Sequence, residues 1–486
     1  MTKAFLTLFS GSLLSKVIGL FRELIFAFYY GTTAIASSFR LSQTAIFIPI
    51  QFLTTDIFNA GFLPLYTKYL KIDYKKATIF YWIIQTLLIV LSLFLTTMLF
   101  FYANSIIRLL APGFNEENIT IAISFLEILS FAIPFFLLSG LFNYLEMAHN
   151  SYFLASIRTV IQSLGIILGV LLSHYFNNIL LLAWGFNIAY ILFFIISLIR
   201  VIRLKRVPSL SLFDKTVVKE VFNRFILIIK PLLLLPFLLQ ANIAIERMIA
   251  SLISIDSIAS FDYARFVTET VVVLLAVPVG LISLSSFSTL DREELNQKLK
   301  KIISILTIIS LPITLYLAIN SELIVRVIFE RGAFDKSSVE TTTAILFGFS
   351  IGIFFQTIQY VLIKVLNTRF ENGKVLLFMA IGLSMNIIFN LLFYKIFGIA
   401  TLGYAYSLYG FIVFILTLRE FKFLGYMGHK LFYLSIFGIG YIIISLFINF
   451  ENILIDFFVS LIIFLLYWSF AIIITPGLNA DIKGYR

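Results

Sequence analysis

A run of about 20 apolar residues recurs some fourteen times along this chain, and a run of that length crosses the roughly 30 Å hydrocarbon layer of a bilayer as a helix. The runs lie at 4–30, 37–58, 77–103, 118–147, 152–174, 178–200, 224–247, 257–289, 302–320, 339–366, 374–394, 398–418, 431–449 and 453–475. With 60% hydrophobic and 13% charged residues and a mean hydropathy of +1.03, the 486 residues carry more apolar surface than one globular core hides, so lipid is the expected solvent. The first run is too long and too charged for a cleavable signal peptide, and no small-residue cleavage site follows it. It is expected to stay as the first span.

The formal charge of +11 comes with no soluble basic domain, zinc-ligand cluster or RNA-binding aromatic signature, so nucleic acid is not an expected partner. The charge is topological. An N-terminus in the cytoplasm puts Lys68, Lys71, Lys75, Lys76, the basic residues between Arg200 and Arg224, and Arg292, Lys298, Lys300, Lys301, Arg369, Lys374, Arg419, Lys422 and Lys430 on the inside. Only Arg108, Arg247, Arg326, Arg331, Lys336 and Lys395 fall outside, which is the positive-inside asymmetry with both termini cytoplasmic.

The chain also repeats at a spacing of about 220 residues. Asn104-Ser105, Arg108 and APGF (Ala111 to Phe114) before a long apolar run are echoed by Asn320-Ser321, Arg326 and ERGAF (Glu330 to Phe334) before another. LFNYLEMAHNSYF (Leu141 to Phe153) answers LIKVLNTRFENGK (Leu362 to Lys374). An even number of spans between the copies gives them one orientation, a parallel repeat of two lobes. The expectation is an all-α polytopic membrane protein with about 14 transmembrane helices: an N-lobe over 1–210, a C-lobe over 211–425, six helices each, and a C-terminal pair over 426–486. The basic segment from Arg200 to Arg224 reads as the linker.

Cations inside the apolar runs carry the functional signal, because a charge in hydrocarbon costs several kcal/mol and ordinarily faces a substrate path. Lys16 and Arg22 lie in the first run, Arg40 near the start of the second, and Arg265 in the eighth. On a helix Ser12, Lys16, Gly19 and Glu23 share one face, and Glu23 can partly neutralise a cation when no ligand is present. Lys16 lies about 18 Å into its span, too deep for easy snorkelling, although a static pair pinning two helices is the plainer reading. Arg265 has Asp262 at i−3 and Glu269 at i+4, either a substrate cation with supporting charges or a structural network. Arg40 lies close enough to the outer end of its span to reach water. Cations from two lobes suit a phosphate-bearing ligand. Asn386 and Asn390 sit one turn apart on the eleventh run, and Gln240, Asn242 and Glu246 line the seventh; they suit a small cation, a polar head group or plain interhelical hydrogen bonds.

Enzyme signatures are absent. His149, His174 and His429 lack metal-ligand spacing, no cysteine is present, and no phosphate-binding glycine loop or nucleophile elbow appears. A transporter with no cofactor is expected, powered by an ion gradient, the membrane potential or the substrate gradient.

LSKVIGLFRELIFAFYYG (Leu14 to Gly31), FNAGFLPLYTKY (Phe58 to Tyr69), APGF, QANIAIERMIAS (Gln240 to Ser251) and VIFERGAFD (Val327 to Asp335) resemble the MurJ/MviN lipid II flippases of the multidrug/oligosaccharidyl-lipid/polysaccharide exporter superfamily, from about residue 4 to 420. The resemblance implies fourteen helices and transport of the lipid-linked peptidoglycan precursor across the bacterial inner membrane by alternating access, and a monomer is expected. It puts Lys16 where the family usually has an arginine and matches Arg22 and Arg265 to its other central arginines, the diphosphate ligands. It makes the last two helices a groove for the polyprenyl tail. Asn386 and Asn390 fall near a sodium site of the family, with Asn390 in place of a carboxylate. Ser37 stands where the family often has an acid, Ile50 and Gln51 where it has two arginines, and the acid-glycine pair that normally follows is shifted to Thr55-Asp56. Arg40 is the residue placed to compensate. These departures also admit another polyprenyl-linked saccharide as substrate, or a drug exporter on the same superfamily fold, while a membrane glycosyltransferase would need a longer outer loop with carboxylates.

Because the chain has no cysteine, its topology can be read by introducing one. A cysteine at Ser209 should resist an impermeant thiol reagent applied to intact cells; labelling from outside would invert the assignment.

Overall fold

The computed structural model describes residues 2–208, 215–230, 233–287, 292–448 and 450–475; Ser209, the middle of the basic linker and the last eleven residues lie outside them. All regular structure among the described residues is helical. The chain divides into two compact units, Met1–Ile258 and Ala259–Arg486.

The first unit holds α1 (Thr2–Tyr30), α2 (Ala34–Asp56), a π-helical turn (Ile57–Phe62), α3 (Leu63–Ile72), α4 (Tyr74–Phe101), α5 (Ala103–Leu110), α6 (Glu116–Ser130), α7 (Ile133–Ala148), α8 (Phe153–Tyr175), α9 (Leu181–Arg203), α10 (Lys215–Ile229) and α11 (Leu234–Ile253). After it come α12 (Ser257–Phe287), α13 (Arg292–Ile319), α14 (Ser321–Phe329), α15 (Lys336–Thr368), α16 (Asn372–Phe397), α17 (Ala400–Glu420), α18 (Leu424–Ser445) and α19 (Ile453–Ile474). Among the described residues ten helices are long and apolar enough to cross a membrane, eleven with α6 and α7 as one bent span. The other long helices, α1, α2 and α12, occupy the remaining expected spans and hold the charges in question.

The repeat is visible in how its helices begin. Asn115 caps α6 by accepting from the Asn118 N–H at 2.9 Å, and Asp335 caps α15 by accepting from the Ser338 N–H at 2.8 Å. Each cap satisfies a backbone donor that the first turn leaves open. At Asp335 the Ser338 N–H and hydroxyl hold the carboxyl below its ordinary range. The short helices that precede the caps, α5 and α14, each carry an arginine in the last turn, paired as Arg108 to Glu116 and Arg326 to Glu330.

Two expectations need correction. The run at 118–147 is two helices meeting at 45°, with Pro134 in the first turn of α7, where its missing N–H and its ring break the ladder. The linker is partly helical: Val221, Phe225 and Ile229, at i+4 spacing, are buried on one face of α10, and Phe225 meets Phe80 of α4 edge to face at 5.2 Å. The seventh span accordingly starts later, at Leu234. The first compact unit extends to Ile258 because α11 packs on α2 and α5 and the Ser251 hydroxyl accepts from the Gly113 N–H at 3.3 Å.

Within the second unit, the C-terminal pair is anchored. Tyr426 of α18 donates to the Lys300 carbonyl at 3.3 Å, and Tyr316 of α13 contacts the Ser460 hydroxyl of α19 at 3.2 Å and the Phe464 ring at 4.8 Å. α16 and α17 stay separate because Gly398 between them adopts φ +54°, which a residue with a Cβ rarely takes.

Small residues let backbones touch where hydrophobicity cannot drive helices together in lipid. α8 and α9 cross at Gly165, Gly169 and Gly185, and α15 and α17 cross at Gly348, Gly352 and Gly403. A Cβ on Gly403 would lie 2.5 Å from the Ile345 carbonyl oxygen and 2.8 Å from the Gly348 Cα, backbone atoms that cannot rotate away. Gly403→Val should cost about 2 kcal/mol or more, read as a lower melting temperature and folded yield in detergent, while Gly373→Ala, whose Cβ meets nothing within 4 Å, should leave both unchanged.

Candidate functional site: a guanidinium-carboxylate cluster

Glu23 of α1 is 1% exposed, at a depth where an isolated carboxylate would be prohibitively costly. Two arginines meet it. Arg22 donates from Nε to Glu23 Oε1 at 3.0 Å, and Arg40 of α2 donates from Nη2 to Oε2. The Arg40 guanidinium also lies 4.7 Å from the Phe26 ring centroid, with Phe39 stacked on Phe26. Sequence alone allowed Arg40 to reach water. Instead its side chain is 11% exposed and turned onto the carboxylate, while that of Arg22 is 22% exposed. Two cations on one carboxylate leave a local excess of one positive charge.

Lys16 is half-buried on the same helix, and among the described residues no carboxylate pairs with it. Its neighbour Ser15 contacts Thr159 of α8 through the hydroxyls, which fixes α1 against α8 at this level. Gly19, on the expected polar stripe, is buried; Ser12 is not described at side-chain level.

Arg265 lies in the second unit, on α12. Its Nε donates to Glu269 Oε1 at 2.6 Å, and its guanidinium is 5.9 Å from the Phe261 ring centroid. The side chains are 34% and 45% exposed, so this is an open i,i+4 pair rather than a sealed one, with Asp262 half-buried a turn earlier. An exposed pair of this kind contributes little to stability.

The amides divide between the units. Asn242 donates to Glu246 at 2.9 Å on α11, and Gln240 faces Gln51 at 3.4 Å, both within the first unit. Asn390 donates to Asn386 at 2.9 Å on α16, in the second. The Asn242–Glu246 and Asn386–Asn390 pairs are each bonded along one helix, whereas Gln240 links α11 to Gln51 of α2. Among the described residues no group of three or more His, Cys, Asp or Glu is placed to hold a metal. Of the departures, Ser37 and Ile50 are fully buried and Gln51 is bonded to Gln240, so none of the three presents a charge.

Two charged residues escaped the sequence reading. Glu146 of α7 is fully buried, with Arg206 at 3.0 Å, Arg200 also paired to it, and the Ser151 hydroxyl donating at 3.2 Å, which ties the α7–α8 turn to the end of α9. Arg158 of α8 seats its guanidinium 4.2 Å from the Phe136 ring centroid. Glu146 was legible only as part of a repeated loop. Arg158 sits near a helix start, where a basic residue reads as a topology signal.

Apolar helices in two repeated lobes, with arginines held inside them, define a polytopic membrane transporter. The fold is shared with solved transporters: a lipid II flippase MurJ in an inward closed conformation matches at TM-score 0.82 with 22% identity, covering 95% of this chain and 97% of that one. An inward-facing multidrug resistance MATE transporter matches at TM-score 0.70 with 12% identity, covering 83% and 94%. The family model for lipid II flippase MurJ matches residues 26–470, and the chain belongs to that family. A probable lipid II flippase MurJ of Synechocystis is 28% identical over 84% of this chain and 78% of its own length, and the lipid II flippase MurJ of Thermosipho africanus 25% identical over 82% and 81%.

Removing the buried carboxylate should strand two cations. Glu23→Gln is expected to lower unfolding stability by about 3 kcal/mol, and Glu23→Gln with Arg40→Gln to recover part of that loss. Thermal unfolding of these two variants and of Arg40→Gln alone measures the coupling; additive losses would show that the pair is not an energetic unit.

Proposed function

We propose that this protein flips lipid II from the inner to the outer leaflet of the bacterial cytoplasmic membrane by alternating access, with both termini in the cytoplasm. The observation that carries the reading is the Arg22–Glu23–Arg40 cluster: a net cation in a membrane-spanning helix, whose more exposed guanidinium is held by a carboxylate that a diphosphate can replace. Guanidinium groups meet phosphate oxygens in bidentate, charge-assisted fashion. In this reading Lys16, Arg22, Arg40 and Arg265 serve the diphosphate, Glu23 and Glu269 hold the arginines in its absence, and α18 and α19 border the path of the polyprenyl tail. A cationic drug would meet the wrong sign of charge. Because the Asn386–Asn390 pair carries no charge and is bonded within itself, we assign the energy input to the membrane potential rather than to a sodium ion there. One observation favours a second reading, another polyprenyl-diphosphate saccharide: the buried Ile50 and bonded Gln51 stand where family members carry two arginines.

The test is binding and flipping of lipid II by the purified chain in vesicles, together with rescue of a strain depleted of its own flippase. Arg22→Ala and Arg265→Ala should each weaken binding about tenfold or more, since a charge-assisted bond contributes roughly 1.5–3 kcal/mol. Arg265→Lys should recover only part of it. Undiminished binding in both alanine variants at matched folded yield would overturn the diphosphate site.

A further inference from the structure

Arg158 is the cation that the cluster does not account for. Among the described residues it pairs with no carboxylate, and its recorded contact is the Phe136 ring, 4.2 Å from the guanidinium. A basic residue five positions into a span would ordinarily snorkel back to the nearer surface. This one does not. α7 ends and α8 begins at the same turn, His149 to Tyr152, and Phe136 lies twelve residues before the end of α7, about 18 Å of helical rise, whereas Arg158 is about 8 Å from the start of α8. The side chain therefore reaches away from that turn and toward the middle of the span.

Its level against α1 is fixed by two pins. The Ser15 and Thr159 hydroxyls touch, and Tyr30 bonds Ser173 at 2.6 Å, so α1 and α8 run parallel with nearly constant register. That register puts Lys16 within roughly 3 Å of rise of Arg158, and Arg22 about 11 Å further along. The buried ring of Tyr190, 4.9 Å from Phe136, lies within electrostatic reach of both Arg158 and Arg22. The first unit thus carries cations at two depths: Lys16 and Arg158 nearer the α7–α8 turn, and Arg22 with Arg40 beyond them.

We propose that Arg158 and Lys16 form a first phosphate-binding level, on the inner side of the Glu23 cluster, where the diphosphate of the lipid-linked substrate is held before it passes to Arg22. The proposal rests on the flippase reading above. Phe136 acts as a platform, holding the guanidinium extended without neutralising it, so that its N–H donors remain available to phosphate oxygens.

The experiment uses the full chain in lipid nanodiscs, with lipid II and, separately, phosphatidylglycerol as probes. If the unsubstituted chain binds no lipid II, the flippase reading fails, whatever Arg158 does. If it binds, Arg158→Gln should weaken lipid II binding about tenfold at an unchanged melting temperature, and Arg158→Lys should fall between. Arg158→Cys, in a chain with no other cysteine, should regain binding after reaction with an aminoethyl thiosulfonate, which restores a cation, and not with the methyl reagent. Full lipid II affinity in Arg158→Gln, recovery with the neutral reagent as well, or loss confined to phosphatidylglycerol would each overturn the proposal.

Discussion

A carboxylate sealed from solvent inside a membrane helix is tolerable only if cations are sealed in with it, and the arrangement around Glu23 follows from that constraint. Arg22 is its neighbour on α1, but a single arginine would give a neutral pair with no attraction left for an anion. Arg40, brought in by α2 and steadied over Phe26, supplies the second cation and makes the cluster net positive. Its inward turn binds α2 to α1. In the proposed function the same three side chains would serve both structure and recognition of negative charge.

The two lobes share their caps and short connecting helices but solve close packing differently. In the first unit the glycine contact lies between α8 and α9, next to a span broken at Pro134; in the second it lies between α15 and α17, and α15 runs unbroken for 33 residues. A continuous helix pinned by backbone contact is stiff, whereas a span bent near Phe131 has a place to flex. The asymmetry gives the first unit, which holds the sealed cluster, the less regular frame.

Much of this was legible in the sequence because lipid imposes a strict rule: runs of about 20 apolar residues must be helices, and the repeated Asn104 and Asn320 segments mark where equivalent helices start. What hydropathy cannot see is geometry within an apolar run. The bend at Pro134 lies inside an uninterrupted apolar stretch, and α10 hides in a basic segment because only one of its faces, Val221, Phe225 and Ile229, is buried. Lys16, Arg22, Glu23 and Arg265 stood out because each lies deep in a run. The pairing of Arg40 with Glu23 did not, since 17 residues and a turn separate the two. Arg158 was masked for a physical reason: near a helix end, charge that orients a span and charge that serves a site look alike until the side chain's direction is known.

Glu23 also bears on what a carrier of the proposed kind needs when it is empty. Two guanidiniums left bare at that depth would resist any rearrangement that removed them from water, and the unloaded protein would be trapped facing one side. A resident carboxylate lowers that cost by standing where the substrate's anion will stand. It must not compete too well, however, and the ratio of two arginines to one glutamate sets the balance: the cluster is satisfied enough to be buried and still one negative charge short. A diphosphate, with more negative charge and more acceptor oxygens than a carboxylate, can outbid Glu23 for Arg22 while Arg40, the less exposed of the two arginines, stays with the glutamate. In the proposed function the division of labour between the arginines would follow from their burial, with Arg40 keeping the carboxylate in place and Arg22 exchanging it for substrate.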